Sequence, residues 1–169
     1  MKYQNTRHQD SVKTPLQLIN LLRKKFFSVG PYFDPCPLNP KYNPKDNIDG
    51  LSIDWGNNCF CNPPYSQSAK WLKYAHEQWK KNNTKIVCLV KLDSIGTRTF
   101  QKFCKDVSIY ILTNRVRFEG YKGIAMFYSI LIVFGDKIEN RGKFFSLPYD
   151  KWCAEKWRKV GNDALEGRK

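Results

Sequence analysis

The run KIVCLVK, Lys85 to Lys91, constrains the fold of this chain more than any other stretch. Its five central residues are all apolar and rich in β-branched types, so a strand built from them has no solvent face and must be covered on both sides. A sheet sandwiched between helices meets that demand. Thr14-Pro15-Leu16-Gln17 predicts the start of one helix, with Thr14 as N-cap, Pro15 at the first helical position and Gln17 completing a capping box. Leu18, Ile19, Leu22 and Phe26 then give a helical apolar stripe, which Gly30 ends. PYFDP predicts a short strand finishing at Asp34, and NCFCN a short buried one. Ser66 or Ser68 can cap a second helix, on which Trp71, Leu72, Ala75 and Trp79 share a face. Thr97 to Lys105 predicts a short third helix with Phe100, Phe103 and Cys104 inward. VSIYIL, continued by RVRF, and MFYSILIVFG, Met126 to Gly135, predict two more strands. The turn-rich interval from Pro35 to Asn58 predicts no regular element, and the tail from Asp150 has a helical look through Trp152, Ala154 and Trp157. This order predicts an α/β fold with a mostly parallel sheet ending in an antiparallel hairpin.

A chain of 169 residues, 41% hydrophobic and 15% aromatic, fits a single folded domain over residues 1–169. No apolar run approaches a membrane span and the first residues lack a signal-peptide core, so a soluble, cytoplasmic protein with no membrane partner is expected. The formal charge of +14 needs a cause. Clusters at Arg23-Lys24-Lys25, Lys80-Lys81 and Lys156 to Lys159 suggest a basic face, whose usual partner is nucleic acid. Six cysteines include no Cys-x-x-Cys pair and only His8 and His76 stand beside them, so no metal site is expected and the cysteines are taken as reduced and structural.

The chemistry gathers at strand ends, where open α/β sheets bind ligands. Asp34 ends one strand, and Lys91-Leu92-Asp93-Ser94 follows another. Between them, in Phe60 to Ser66, FCNPPYS leaves a strand through an Asn and two prolines. Proline cannot donate to a ladder and pushes the residue before it to an extended conformation, so NPPY is a stiff corner that fixes where Asn62 and Tyr65 point. A plain turn would use the same residues.

NPPY after a strand resembles the motif of amino-methyltransferases. The set TP at 14–15, Asp34 at a strand end, DGL at 49–51, DW at 54–55, FCNPPYS at 60–66, Trp71 and NRVRFEG…FYSILIVFG at 114–135 resembles the phage-type DNA N6-adenine methyltransferase (Dam) family. The resemblance implies a compact, reduced Rossmann-like methyltransferase fold with no separate target-recognition domain. It implies S-adenosylmethionine as cofactor, DNA as partner (double-stranded, with the target adenine flipped out), and a phage or prophage origin. Asn62, Pro63, Pro64 and Tyr65 then form the catalytic corner. The Asn62 side-chain oxygen and the Pro63 carbonyl grip the two adenine amino hydrogens, and Tyr65 stacks on the base. For the cofactor, Asp34 accepts from the methionine ammonium group, flanked by Pro35 and Cys36. Thr14 and Pro15 at a helix N-terminus meet its carboxylate, and Asp49 holds the ribose hydroxyls. Ser66, Lys91, Arg98, Arg115 and Arg117 are the expected DNA contacts, the arginines reaching guanine edges. Each of these has a plainer reading as a cap, a turn residue or a solvated strand face.

Two departures from the family pattern stand out. DPCPLNP, after the first strand, has no Gly where such enzymes carry a Gly-rich loop, and the gap from Asp34 to Asn62 is too short for two further strand–helix units. A smaller sheet with fewer walls around the cofactor is expected. The residues also admit another amine acceptor (cytosine N4, RNA adenine or a protein glutamine), or a basic nucleic-acid-binding module without catalysis.

Overall fold

The computed structural model describes residues 12–28, 30–37, 49–56, 58–120 and 123–149. The helical tail expected from Asp150, its basic cluster at 156–159, and His8 lie outside these residues. α1 (Leu16–Phe26) is followed by β1 (Cys59–Cys61), α2 (Ser68–Asn82), β2 (Ile86–Lys91), α3 (Arg98–Phe103), β3 (Ser108–Leu112), β4 (Ser129–Phe134) and β5 (Phe144–Leu147). They build one open mixed sheet in the order β1-β2-β4-β3-β5. β1 pairs in parallel with β2 and β3 with β5, while β4 runs antiparallel between β2 and β3. The strand expected over PYFDP does not form: only Phe33 pairs, in a single parallel bridge to Cys59, because the proline-rich turn begins at once after Asp34. The architecture is mixed α/β and compatible with a Rossmann-like fold.

Burial explains the layering. In β2, Ile86, Cys88 and Val90 face a core shared with Trp71, Leu72, Ala75 and Trp79 of α2 and with Phe100 of α3. Val87 and Leu89 face the opposite core, with Leu18, Leu22 and Phe26 of α1. The interior strand is therefore covered on both faces, as its composition demands.

The sheet departs from expectation at its far end. β3 and β4 are an antiparallel pair but not a terminal hairpin, because residues 113–128 connect them and β4 enters the middle of the sheet. All six residues of β4 are buried, which an edge strand could not achieve. β5, not expected from the sequence, takes the edge beside β3, and only Leu147 of its four residues is fully buried. RVRF is not a strand. Val116 and Phe118 do point inward, but the Arg117 N–H donates to the Tyr149 hydroxyl, which in turn donates to the Arg115 carbonyl.

The helix starts also differ in detail. Pro15, not Thr14, is the N-cap of α1 and no side chain of its own closes the turn; Glu119 does so from a distance, its Oε1 accepting from the Leu16 N–H at 3.3 Å. Neither Ser66 nor Ser68 caps α2, which begins through a 3-10 turn over Tyr65–Gln67. Thr97 does cap α3, accepting from the Phe100 N–H at 3.2 Å.

Candidate active site

The parallel strands set the site. Phe33 is in register with Cys59, so Asp34 comes opposite Phe60, and Asn62 follows two residues beyond Phe60, just past the end of β1 at Cys61. Ordinary strand spacings place their Cα atoms about 8 Å apart at one edge of the sheet. β2 ends there at Lys91, opposite Ser129, and Leu92 N–H donates to the Tyr128 carbonyl at 2.9 Å. The 113–128 connection therefore closes over the same edge.

At this edge Asn62 is half-buried, and Pro63 behind it is buried. The Asn62 Nδ2 donates to Thr14 Oγ1 at 3.1 Å and lies 3.5 Å from the Val12 carbonyl. Among the described residues no donor is bonded to Asn62 Oδ1. Both peptide bonds of the Pro-Pro pair are trans, and the chain turns directly into the 3-10 segment that carries Tyr65. The Tyr65 ring meets Phe127 edge-on at 4.9 Å and Phe118 at 6.3 Å. The Lys91 ammonium sits 5.0 Å from the Tyr65 ring centre and 4.7 Å from that of Phe127, a cation held over two aromatic faces.

Asp34 turns back on itself: its Oδ1 accepts from the Cys36 N–H at 2.9 Å. Burial pushes its carboxyl up from 3.8 to about 6, only partly offset by that bond, and among the described residues it has no ion-pair partner. A desolvated carboxylate with no counter-charge among the described residues is the acceptor that an amino acid's ammonium group fits. Burial, followed by the Asp34 charge, pushes the Cys36 thiol up to about 12, so it is a packing atom and not a nucleophile.

The Asp49-Gly50-Leu51 turn docks onto this corner. Asp49 Oδ1 accepts from the Leu51 N–H at 3.0 Å and its carbonyl from the Ser52 N–H at 2.8 Å, an Asx turn that leaves the acid exposed. Gly50 is the residue that sequence reasoning passed over. A Cβ there would lie 1.9 Å from the Pro35 carbonyl oxygen, so only glycine allows the two loops to touch. The loop without glycine, DPCPLNP, is thus met by a glycine of the opposite loop. Trp55 anchors the turn from below: its Nε1 donates to the Gly50 carbonyl at 2.7 Å, its N–H to Gln78 of α2, and Lys81 grips the neighbouring Asp54 with both oxygens at 2.7 Å. The closeness of Gly to the acid in DGL was the available signal.

Thr14, expected with Pro15 at the cofactor carboxylate, lies beside Asn62 at the same edge, and the Leu16 N–H at the start of α1 is taken by Glu119. Arg115, Arg117, Arg98 and Ser66 are exposed around the edge, the Arg115 guanidinium lying 5.0 Å over the Tyr128 ring. Two basic clusters are not there. α1 and α2 both begin at the site edge, so Arg23-Lys24-Lys25 and Lys80-Lys81 in their last turns lie at the opposite end of the sheet. His76 of α2 packs against Trp79, Phe103 of α3 and Phe134 of β4, away from the corner.

No curated protein and no solved structure matches this chain. A family model does, that of the DNA N-6-adenine-methyltransferases (Dam), over residues 3–127, a span that holds the Thr14 segment, the Asp34 corner, the Asp49 turn and NPPY. The chain therefore belongs to the Dam family, whose activity is methylation of adenine N6 in DNA.

Proposed function

We propose that this chain transfers a methyl group from S-adenosylmethionine to the N6 of an adenine flipped out of double-stranded DNA. One observation carries the reading: the Phe33–Cys59 pairing sets Asp34, a carboxylate with no ion-pair partner among the described residues, near the Asn62 corner at one sheet edge. Family membership supplies the reaction class.

The adenine N6 lone pair is delocalised into the ring, which makes it a poor nucleophile. Asn62 Oδ1 and the Pro63 carbonyl accept its two hydrogens, which draws the nitrogen toward tetrahedral geometry and localises the pair. Tyr65 stacks on the base. The base takes the place of Lys91 on that ring, which frees the ammonium for a phosphate. S-adenosylmethionine, when bound, supplies an electrophilic methyl group on a sulfonium. Asp34 orients it through the ammonium group, and Asp49 accepts from ribose hydroxyls. Formation of the N6–CH3 bond would break the S–CH3 bond and release S-adenosylhomocysteine, and the proton of the now cationic, acidic nitrogen would pass to water, so no side chain of tuned basicity is needed. Unstacking the adenine costs a few kcal/mol. Lys91, Arg98, Arg115, Arg117 and Ser66 offset it through phosphate and base contacts.

The same reading implies a reduced Rossmann-like sheet forming one methyltransferase domain, target choice by loops at the site edge, and action inside the cell. No helix among the described residues is long and apolar enough to cross a membrane. The test is to incubate the purified protein with methyl-labelled S-adenosylmethionine and duplex DNA, and in parallel with RNA, digest to nucleosides and identify the labelled one. N6-methyldeoxyadenosine supports the proposal. Label in deoxycytidine, in RNA alone, or nowhere overturns it.

A further inference from the structure

We propose that Thr14, together with the Val12 carbonyl, is the positioning element that fixes which end of the Asn62 amide faces the substrate; this rests on Asn62 being the acceptor for the amine. A carboxamide fits its site almost equally well either way round, yet only its oxygen end can accept from an amino group. At this site Nδ2 meets two oxygens, Thr14 Oγ1 at 3.1 Å and the Val12 carbonyl at 3.5 Å: the hydroxyl holds the amide in place, and the carbonyl sets which end turns outward. The Val12 oxygen can only accept. Turning the amide over would oppose it with Oδ1 and present the NH2 group to another donor, so the flipped state is penalised at both ends. The hydroxyl thus acts 48 residues away in sequence, on the amide and not on the helix it precedes.

The segment bearing these acceptors is itself held. Lys13 and Glu119 exchange backbone hydrogen bonds at 3.3 and 2.9 Å, their side chains pair at 2.9 Å, and Glu119 also accepts from the Leu16 N–H. Glu119 lies in the 113–128 connection, whose Phe118 and Phe127 pack on Tyr65. The amide and the aromatic wall are therefore tied to one strut. The same geometry explains an Asn and not an Asp at position 62, since a carboxylate would oppose its charge to the Val12 oxygen.

The test compares Thr14→Val, which keeps the shape and removes the acceptor, with Thr14→Ser, which keeps the hydroxyl. Losing one neutral hydrogen bond that orients the acceptor lowers kcat of Thr14→Val about tenfold, with cofactor Kd and DNA KM within about twofold, and Thr14→Ser restores most of the rate. Equal kcat in the Val variant overturns the proposal. So does a loss of cofactor affinity that matches the loss of rate, which would assign Thr14 to the cofactor. A readout independent of catalysis is the Asn62 side-chain NH2 signal in 15N-labelled protein: slow hydrogen exchange in wild type and faster exchange in Thr14→Val are expected, and equal exchange overturns the proposal. A wild-type protein that transfers no methyl group would defeat the proposed function, whereas the exchange experiment would still decide the amide's anchoring.

Discussion

Replacing Asp34 by Asn should make the fold more stable and the site less able to bind its cofactor. The carboxyl is pushed up from 3.8 to about 6, chiefly by burial. Its folded-state value thus lies above the unfolded one, so its contribution is most favourable below about pH 4 and is lost as pH rises through 6. A shift of roughly two units at about 1.4 kcal/mol each is about 3 kcal/mol of destabilisation at pH 7. Asp34 is only half-buried, and solvent screening reduces this to about 1–2 kcal/mol. Asn keeps the oxygen that accepts from the Cys36 N–H, so the substitution removes charge without losing that bond. For a chain of this size the gain is about 3–6 °C in Tm at pH 7. Thermal denaturation followed by circular dichroism from pH 4 to pH 8 measures it. The advantage should vanish near pH 4, where the wild-type carboxyl is protonated as well. An Asp34→Asn variant that melts at or below the wild-type temperature at pH 7, or whose gain does not change with pH, refutes the reasoning.

Cofactor affinity should carry the same titration with opposite consequence, because the ammonium group needs the ionised acid. Binding of S-adenosylhomocysteine, measured by calorimetry, should weaken about tenfold from pH 7 to pH 5, and a flat profile contradicts the role of Asp34. Gly50→Ala should cost about 1–3 kcal/mol by forcing the Asp49 turn off the Pro35 carbonyl, and should weaken cofactor binding in step. A denaturant midpoint equal to wild type would show that the two loops are not in contact.

The parts of the fold open to reading in the sequence were those where burial on both faces leaves one solution. KIVCLVK became an interior strand and the stripes of α1 and α2 became their buried faces, because apolar periodicity reports burial directly. β5 was not readable, since a four-residue edge strand with one buried side chain carries almost no pattern. RVRF misled for the opposite reason. Its alternation is real, with Val116 and Phe118 buried and the arginines exposed, but hydrogen bonding decides strand identity and those bonds go to Tyr149. In the site, the NPPY corner and Asp34 were visible because proline geometry and strand ends are local facts. What Thr14 does was not, because its hydroxyl has two competing uses and the partner that wins is far along the chain. Gly50 was overlooked because a close approach is a property of two loops, and only one of them is in the motif.

The account depends on the Asn62 oxygen as the acceptor that activates the amine. Single-turnover methyl transfer to duplex DNA by Asn62→Ala, compared with wild type at saturating cofactor and DNA, tests this most directly. The prediction is a rate lower by about two to three orders of magnitude, the scale seen when one preorganised donor or acceptor is removed from a reacting centre, with DNA affinity within a few-fold of wild type. A variant that methylates adenine at near the wild-type rate would contradict the account.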